Sequence, residues 1–151
     1  MIDDGLLVEE AMDKPESVKK AVQLLYLSLG LTILLYAIML LRFPETLFKE
    51  VFREEFTENS IVSVILFLVI FTGLFWFFVY MIGKGRNWAR MILLVLTIIS
   101  LPLYIYDVLF YYSPLYTFFS AIISAIYVIG IVLLFRAPSS AWFKKIASDK
   151  K

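Results

Sequence analysis

Asp107 has the clearest capacity for chemistry in this sequence, because it is the one acidic residue inside the long apolar stretches. A carboxylate at membrane depth is costly, and such residues commonly mark a ligand, ion or proton site. Tyr104 and Tyr111 lie about one helical turn to either side, and Arg42 is the cation expected to emerge on the same side of the membrane. These four residues form a candidate polar site that faces outward and suits a lipid headgroup, a quinone ring or a cation.

A simpler interpretation places Asp107 at a helix end in the outer interface. At 1.5 Å per residue it lies about 25 Å beyond Arg90 along a helix, which is close to the thickness of the hydrocarbon core. Tyrosine is typical of membrane–water interfaces, so the tyrosines around Asp107 also fit an aromatic belt beside a carboxylate that reaches water. Depth favours this second interpretation.

Most catalytic chemistry is excluded by residue type. The chain has no histidine and no cysteine, which removes disulfides, thiolate nucleophiles, histidine-ligated haem, Ser-His catalysis and the usual zinc sites. One carboxylate at membrane depth cannot form a paired-carboxylate dyad. The net charge of +1 provides no field that would attract nucleic acid. We therefore expect no catalytic residue, no metal and no cofactor, and a function that depends on binding.

The elements that position these residues are predicted to be membrane helices. The chain is 62% hydrophobic with a mean hydropathy of +0.87, whereas soluble domains are about 45–50% apolar. Four runs reach the roughly 20 apolar residues that cross a bilayer, and isolated strands cannot do so because their backbone groups would be unpaired. The sequence predicts an all-α, integral membrane four-helix bundle with spans at about 18–41, 60–82, 89–111 and 114–136.

The distribution of basic residues predicts the orientation of this bundle. Eleven of the fourteen Lys and Arg residues fall on the side shared by the N-terminus, the second loop and the C-terminus. Cytoplasmic loops retain basic residues, so both termini are expected in the cytoplasm. The organisation is then an acidic N-terminal segment 1–16, a membrane domain 17–136 and a basic tail 137–151.

The first outer loop contains a predicted amphipathic helix at about 45–57. Phe48, Phe52 and Phe56 recur at four-residue spacing and share one face. Such a helix lies in the membrane surface with its phenylalanines at the headgroup boundary. It either caps the bundle and grips a partner, or is a linker that fills the turn.

The second loop is basic and carries an interfacial tryptophan. Lys84, Arg86, Arg90 and Trp88 are candidate contacts for anionic lipid. The loop lacks the spacing of a nucleotide-binding loop. Retention of the loop in the cytoplasm is the alternative reason for its charge.

Two faces within the spans are candidates for helix packing or for a partner. Ser120, Ala121, Ser124 and Ala125 form a doubled small-xxx-small pattern, which permits close helix approach. Phe67, Phe71, Phe75 and Phe78 form a stripe on the second span. Packing inside the bundle with lipid contact explains both faces, and docking against another membrane helix is the alternative.

Three short segments support a resemblance. They are Pro15-Glu-Ser-Val near the first span, Gly85-Arg-Asn-Trp-Ala-Arg in the second loop, and Ser140-Ala-Trp-Phe-Lys-Lys in the tail. The chain resembles, over nearly its whole length, a recurrent type of small, uncharacterised four-span bacterial inner-membrane protein. The resemblance implies a bacterial cytoplasmic membrane and a four-helix architecture, and it implies no activity.

The expected function is that of a non-catalytic accessory or stabilising subunit in a larger inner-membrane complex. Its expected partners are the lipid bilayer and other membrane subunits or further copies of itself, and not nucleic acid. The alternative is a small homo-oligomeric channel or transporter, or a lipid- or quinone-binding protein, with its polar site at Asp107.

Overall fold

The computed structural model describes residues 14–42, 58–110 and 114–148. These residues form five helices and no strand: α1 (Glu16–Arg42), α2 (Glu58–Gly83), α3 (Asn87–Phe110), α4 (Pro114–Leu134) and α5 (Ala137–Ser148). Each of the first four contains a stretch long and apolar enough to cross a membrane. The predicted all-helical chain with four membrane-length helices is confirmed. The segments 1–13 and 45–57, the latter with Phe48, Phe52 and Phe56, lie outside the described residues.

Helix α1 begins after Pro15, whose fixed backbone angle suits the start of a helix. The Pro15 carbonyl accepts hydrogen bonds from the backbone N–H groups of Val18 and Lys19 at 2.9 and 3.1 Å. Glu16 lies in the first turn, where a negative charge is favourable. It also pairs with Lys20 at 3.3 Å on the exposed surface.

Helix α2 ends in a Schellman motif. Gly85 has a φ of +76°, a conformation that glycine adopts without a steric penalty. The N–H of Gly85 donates to the Ile82 carbonyl at 2.9 Å, and the N–H of Arg86 donates to the Met81 carbonyl at 3.0 Å. These two bonds satisfy carbonyls that the helix end would leave unpaired, and the chain turns directly into α3.

The four long helices contact one another in the cyclic order α1, α2, α3, α4, and the most extensive contact is between α1 and α4. These two helices are antiparallel, since Gly130 lies against Leu25 while Tyr116 packs with Met39. We call the end where α1 begins and α4 ends the terminal end, and the opposite end the far end.

The hydrophobic core is concentrated at the terminal end. Val79 and Ile82, from the last turns of α2, and Leu93 of α3 are almost completely buried there. The far end has only a small second cluster around Met39 and Tyr116 in the described part of the chain. Among the described residues, the larger core cluster is therefore at the terminal end.

Helix α5 is part of that terminal core. Phe143 is fully buried and Trp142 nearly so, and their rings meet edge to face with centroids 4.9 Å apart. Ser139 donates to the Leu133 carbonyl at 2.7 Å, and its hydroxyl lies 2.8 Å from that of Ser17 on α1. The predicted tail thus contains a helix packed against α1, α3 and α4.

Candidate functional site

A cavity of about 200 Å³ lies between α1, α3 and α4, towards the far end. Most of its wall consists of side chains that bear a hydroxyl group. The lining residues are Thr32, Leu35, Tyr36, Tyr104, Tyr116, Ser120, Ile123 and Ser124. A hydroxyl-lined cavity inside a membrane-length bundle is a concave site with a few polar groups on an apolar background, which is the usual character of a ligand site.

The cavity exists because small side chains lie along α4 next to a point where α4 closely contacts α1. A Cβ built on Gly130 would lie 3.1 Å from Leu25 Cδ2 and 3.4 Å from the Ala21 carbonyl oxygen, so α1 and α4 touch there. Further towards the far end, α4 presents Ser120 and Ser124 instead of large side chains. The small residues therefore leave space at the level where Tyr104 is the described contribution of α3.

Most hydroxyls in the cavity wall already make hydrogen bonds. Thr32 Oγ1 donates to the Ser28 carbonyl at 2.8 Å. Ser120 Oγ donates to the Thr117 carbonyl at 3.2 Å and lies 3.1 Å from the Tyr104 hydroxyl. Tyr36 and Tyr116 are hydrogen-bonded to each other across the α1–α4 interface. These bonds orient the polar wall without any charged group.

The next layer towards the terminal end contains a polar contact between α3 and α4. Tyr127 OH lies 2.7 Å from Thr97 Oγ1, and the ring of Tyr127 lies 5.7 Å from that of Phe75. Thr97 Oγ1 donates to the Leu93 carbonyl at 2.6 Å, so Tyr127 is the donor in the shared bond. Phe75 is the contribution of α2 to this layer. None of the described side chains of α2 lines the cavity.

The phenylalanine stripe of α2 divides into two parts. Phe75 and Phe78 pack against the terminal core. Phe67 and Phe71 are 51% and 49% exposed, and their rings stack with centroids 5.9 Å apart. Ile70 and Leu74 are exposed beside them. We call Phe67, Ile70, Phe71 and Leu74 the α2 face.

The doubled small-residue pattern of α4 also divides. Ser120 is buried and Ser124 half-buried, and both line the cavity. Ala121 and Ala125 are exposed on the outside of the bundle. A close contact of α4 with α1 is at Gly130, a residue outside the predicted small-residue pattern.

Arg90 differs from the other basic residues of the second loop, because it is 6% exposed. Its Nε donates to Asn87 Oδ1 at 2.6 Å, and its Nη1 donates to the Leu134 carbonyl at 3.0 Å and to Ser140 Oγ at 3.4 Å. The guanidinium of Arg90 is therefore already hydrogen-bonded to other groups of the chain, near the end of α4.

The other loop residues lie at the surface of the terminal end. Arg86 and Lys84 are exposed, and Lys84 Nζ lies 4.8 Å from the centroid of the Tyr80 ring. Trp88 is 44% exposed and meets Phe78 edge to face. Lys84, Arg86 and Trp88 are thus exposed, unlike Arg90, and their predicted contact with anionic lipid stays a prediction.

The structure describes only part of the polar site predicted around Asp107, so that prediction stays untested. Tyr104 lines the cavity, and Arg42 is exposed at the far end of α1. Asp107 lies on α3, but its side chain is outside what the structure describes, as is the whole of Tyr111. The described hydroxyl partner of Tyr104 is Ser120 of α4, 16 residues later in the sequence.

Sequence reasoning missed Tyr36 as a member of this site. Its signal is weak, since a tyrosine within an otherwise apolar span is also compatible with ordinary packing. A tyrosine and a threonine four residues apart, Tyr36 and Thr32, do share one helix face, and that spacing was the available clue.

No protein-family model, curated protein or solved structure matches the chain.

Proposed function

We propose that this chain is a non-catalytic accessory subunit, which docks against a transmembrane helix of a larger membrane protein through the α2 face. The observation that carries this proposal is that the buried residues of α2, among those described, are Val79 and Ile82 in its last turns, while Ile70, Phe71 and Leu74 are each about half exposed or more. Contact between helices in lipid depends on packing of preformed surfaces rather than on escape from water. Stacked rings on the α2 face supply such a surface.

The distribution of charge supports binding over ion coupling. No charged residue occurs in 21–41, 59–83, 91–106 or 114–135. Coupled transporters normally place ionisable residues near the membrane centre, facing a cavity. A chain without them contributes most readily by contact with another protein, and the α2 face offers a stacked aromatic surface for that contact.

The proposed location is a bacterial cytoplasmic membrane with both termini in the cytoplasm. The terminal end carries Lys14, the basic second loop and the basic α5, as the positive-inside rule requires for a cytoplasmic side. An alkaline phosphatase fused to the C-terminus should be inactive, and a fluorescent protein fused there should fold. An active phosphatase fusion would reverse the orientation.

The accessory role is tested by native mass spectrometry after mild extraction at the natural expression level. The 17.5 kDa chain should emerge at fixed stoichiometry with a larger membrane subunit. A photoreactive phenylalanine analogue at position 71 should then crosslink to one transmembrane peptide of that same subunit. Capture of a protein without the fixed stoichiometry does not support the proposal.

Leu34 on α1 provides the matched control, because it is 55% exposed, similar to Phe71 at 49%. The same analogue at position 34 should label lipid and give no discrete protein adduct. The double variant F71A/L74A should release the larger subunit, whereas L34A/I38A should retain it. Emergence of the chain alone or as a homo-oligomer would overturn the accessory role.

A further inference from the structure

Among the described residues of the cavity wall, Ser124 offers an unused donor, and Thr32 and Tyr104 offer unused acceptor positions to a ligand. A hydroxyl group has one proton and two lone pairs. Thr32 uses its proton on Ser28, and Ser120 uses its proton on Thr117, which makes Tyr104 the donor to Ser120. The oxygens of Thr32 and Tyr104 therefore keep lone pairs. The hydroxyl of Ser124 makes no hydrogen bond to any described residue.

This arrangement matches a ligand group that both donates and accepts. A neutral hydroxyl can donate to the lone pairs of Thr32 or Tyr104 and accept from Ser124. A carboxylate or phosphate lacks a cation in the cavity wall, since every described lining residue is uncharged, and an unpaired charge at this depth is costly. The polar part of the ligand is therefore uncharged.

The size and shape of the cavity suit a six-membered ring. Its volume is about 200 Å³, and an apolar cavity of roughly 150 Å³ can hold a benzene molecule. The rings of Tyr36, Tyr104 and Tyr116 form much of the wall. Aromatic rings pack well against one another in offset or edge-to-face arrangements, so a flat ligand ring gains contacts on several sides.

The cavity is not fully enclosed by the described residues. Its described lining residues come from α1, α3 and α4. A hydrocarbon tail attached to the bound ring can leave through the open side of the cavity.

We propose that the cavity between α1, α3 and α4 binds the hydroxylated head of a neutral amphiphile, whose hydrocarbon tail extends from the open side of the cavity into the bilayer. The head is a hydroxyl-bearing ring of quinol type. A lipid alcohol such as a diacylglycerol presents the same hydroxyl chemistry from a second source. This site is independent of the docking proposed for the α2 face.

Binding is measured on the full chain in nanodiscs, with radiolabelled decyl-hydroquinone kept reduced under nitrogen as the probe. We expect saturable binding of one probe per chain. The dimethyl ether of the probe, which keeps the ring and tail but loses both donors, should bind at least about tenfold more weakly, because each hydrogen bond contributes up to about a factor of ten. Equal binding of the ether would overturn recognition of the hydroxyl group.

The source of the hydroxyl group is resolved by a second probe, dioctanoylglycerol. If decyl-hydroquinone binds more tightly than dioctanoylglycerol, the hydroxyl group of the ligand belongs to a ring. Saturable binding of dioctanoylglycerol alone supports the hydroxyl chemistry and assigns a lipid alcohol as its source. Absence of saturable binding by either probe would overturn the proposal.

Three variants locate the bound probe. Ser124→Ala removes the unused donor, and Thr32→Val removes a lone-pair acceptor at nearly constant volume, so each should weaken binding by about three- to tenfold. Ser124→Phe fills the cavity and should abolish saturable binding. The matched control is Ser100→Ala on α3, because Ser100 is exposed, lies outside the cavity and donates to the Thr97 carbonyl.

Circular dichroism and size-exclusion chromatography establish which variants fold. Unchanged binding by a folded Ser124→Phe variant would place the site elsewhere and overturn the proposal. Should that variant fail to fold, unchanged binding by both Ser124→Ala and Thr32→Val has the same consequence. Equal weakening by Ser100→Ala would also contradict a site in this cavity.

Discussion

The guanidinium carbon of Arg90 lies 4.3 Å from the centroid of the Phe143 ring, a contact that joins the start of α3 to α5. The same side chain donates to the carbonyl of Leu134 at the end of α4. A cation is favourable both at a helix C-terminus and over an aromatic face. Arg90 therefore stabilises the junction of three helices, although no carboxylate pairs with it among the described residues.

Replacement of Arg90 by lysine should destabilise the bundle. Lysine keeps the charge but cannot reproduce the planar fork that reaches Asn87, Leu134 and Ser140. We expect the free energy of unfolding in mixed micelles to fall by about 2 kcal/mol. Arg86→Lys is the control, because Arg86 is exposed and should change stability by less than about 0.5 kcal/mol. Equal losses for the two variants would contradict the role of the buried contacts.

Enlargement of Gly130 should separate α1 from α4. A Cβ at this position would already be 3.1 Å from Leu25 Cδ2, and the larger valine side chain forces the helices apart at a cost of about 1–3 kcal/mol. The same change at Gly73 meets open space within 4 Å, so Gly73→Val should be near neutral. Thermal unfolding in detergent compares the two variants, and similar melting temperatures would argue against close packing at Gly130.

Substitution of Gly85 by alanine should combine two separable costs. The φ of +76° costs an L-residue roughly 1–2 kcal/mol, and a Cβ there would lie 2.5 Å from Ile146 Cδ1 on α5. In a double-mutant cycle, Ile146→Ala should relieve the steric clash with α5. The energetic cost of the positive φ at position 85 should remain. A coupling energy of zero between positions 85 and 146 would mean that α5 does not pack on this turn.

Removal of the Tyr127 hydroxyl should weaken the contact between α3 and α4. Tyr127→Phe keeps the ring contact with Phe75 and loses the 2.7 Å bond to Thr97. Interhelical hydrogen bonds in membranes contribute about 0.6 kcal/mol on average and up to about 1.7, and the loss should fall in that range. Tyr26→Phe is the control, since no hydrogen bond of the Tyr26 hydroxyl occurs in the described residues. A larger loss at position 26 would contradict the assignment.

The helices of this protein could be predicted well because their signal is local. The run of apolar residues from Ala21 to Leu41 needs no information about its neighbours to be recognised as a span. Helix α5 was harder, because Trp142 and Phe143 stand among serines and lysines and resemble interfacial anchors. Their burial against α3 and α4 depends on where the second loop turns, which hydropathy does not reveal.

The candidate site was predicted only in fragments. Tyr104 was selected for its place near Asp107, and Ser120 and Ser124 were selected for helix packing. Thr32 and Tyr36 come from a helix more than 60 residues away in sequence, and nothing local connects them with the other three residues. Their convergence on one cavity depends on the rotation of α1 about its axis, which is set by its contact with Gly130.

The sequence by itself determined the class of the protein: four apolar stretches of membrane length, with no charged residue in 21–41, 59–83, 91–106 or 114–135. These properties follow from the cost of placing charge and unpaired backbone groups in hydrocarbon. The tertiary structure alone decided which side chains meet, including the burial of Arg90 and the hydroxyl-lined cavity. Hydropathy is nearly uniform around each helix, so it does not specify how the helix is rotated about its own axis. Close packing at a few small residues specifies that rotation.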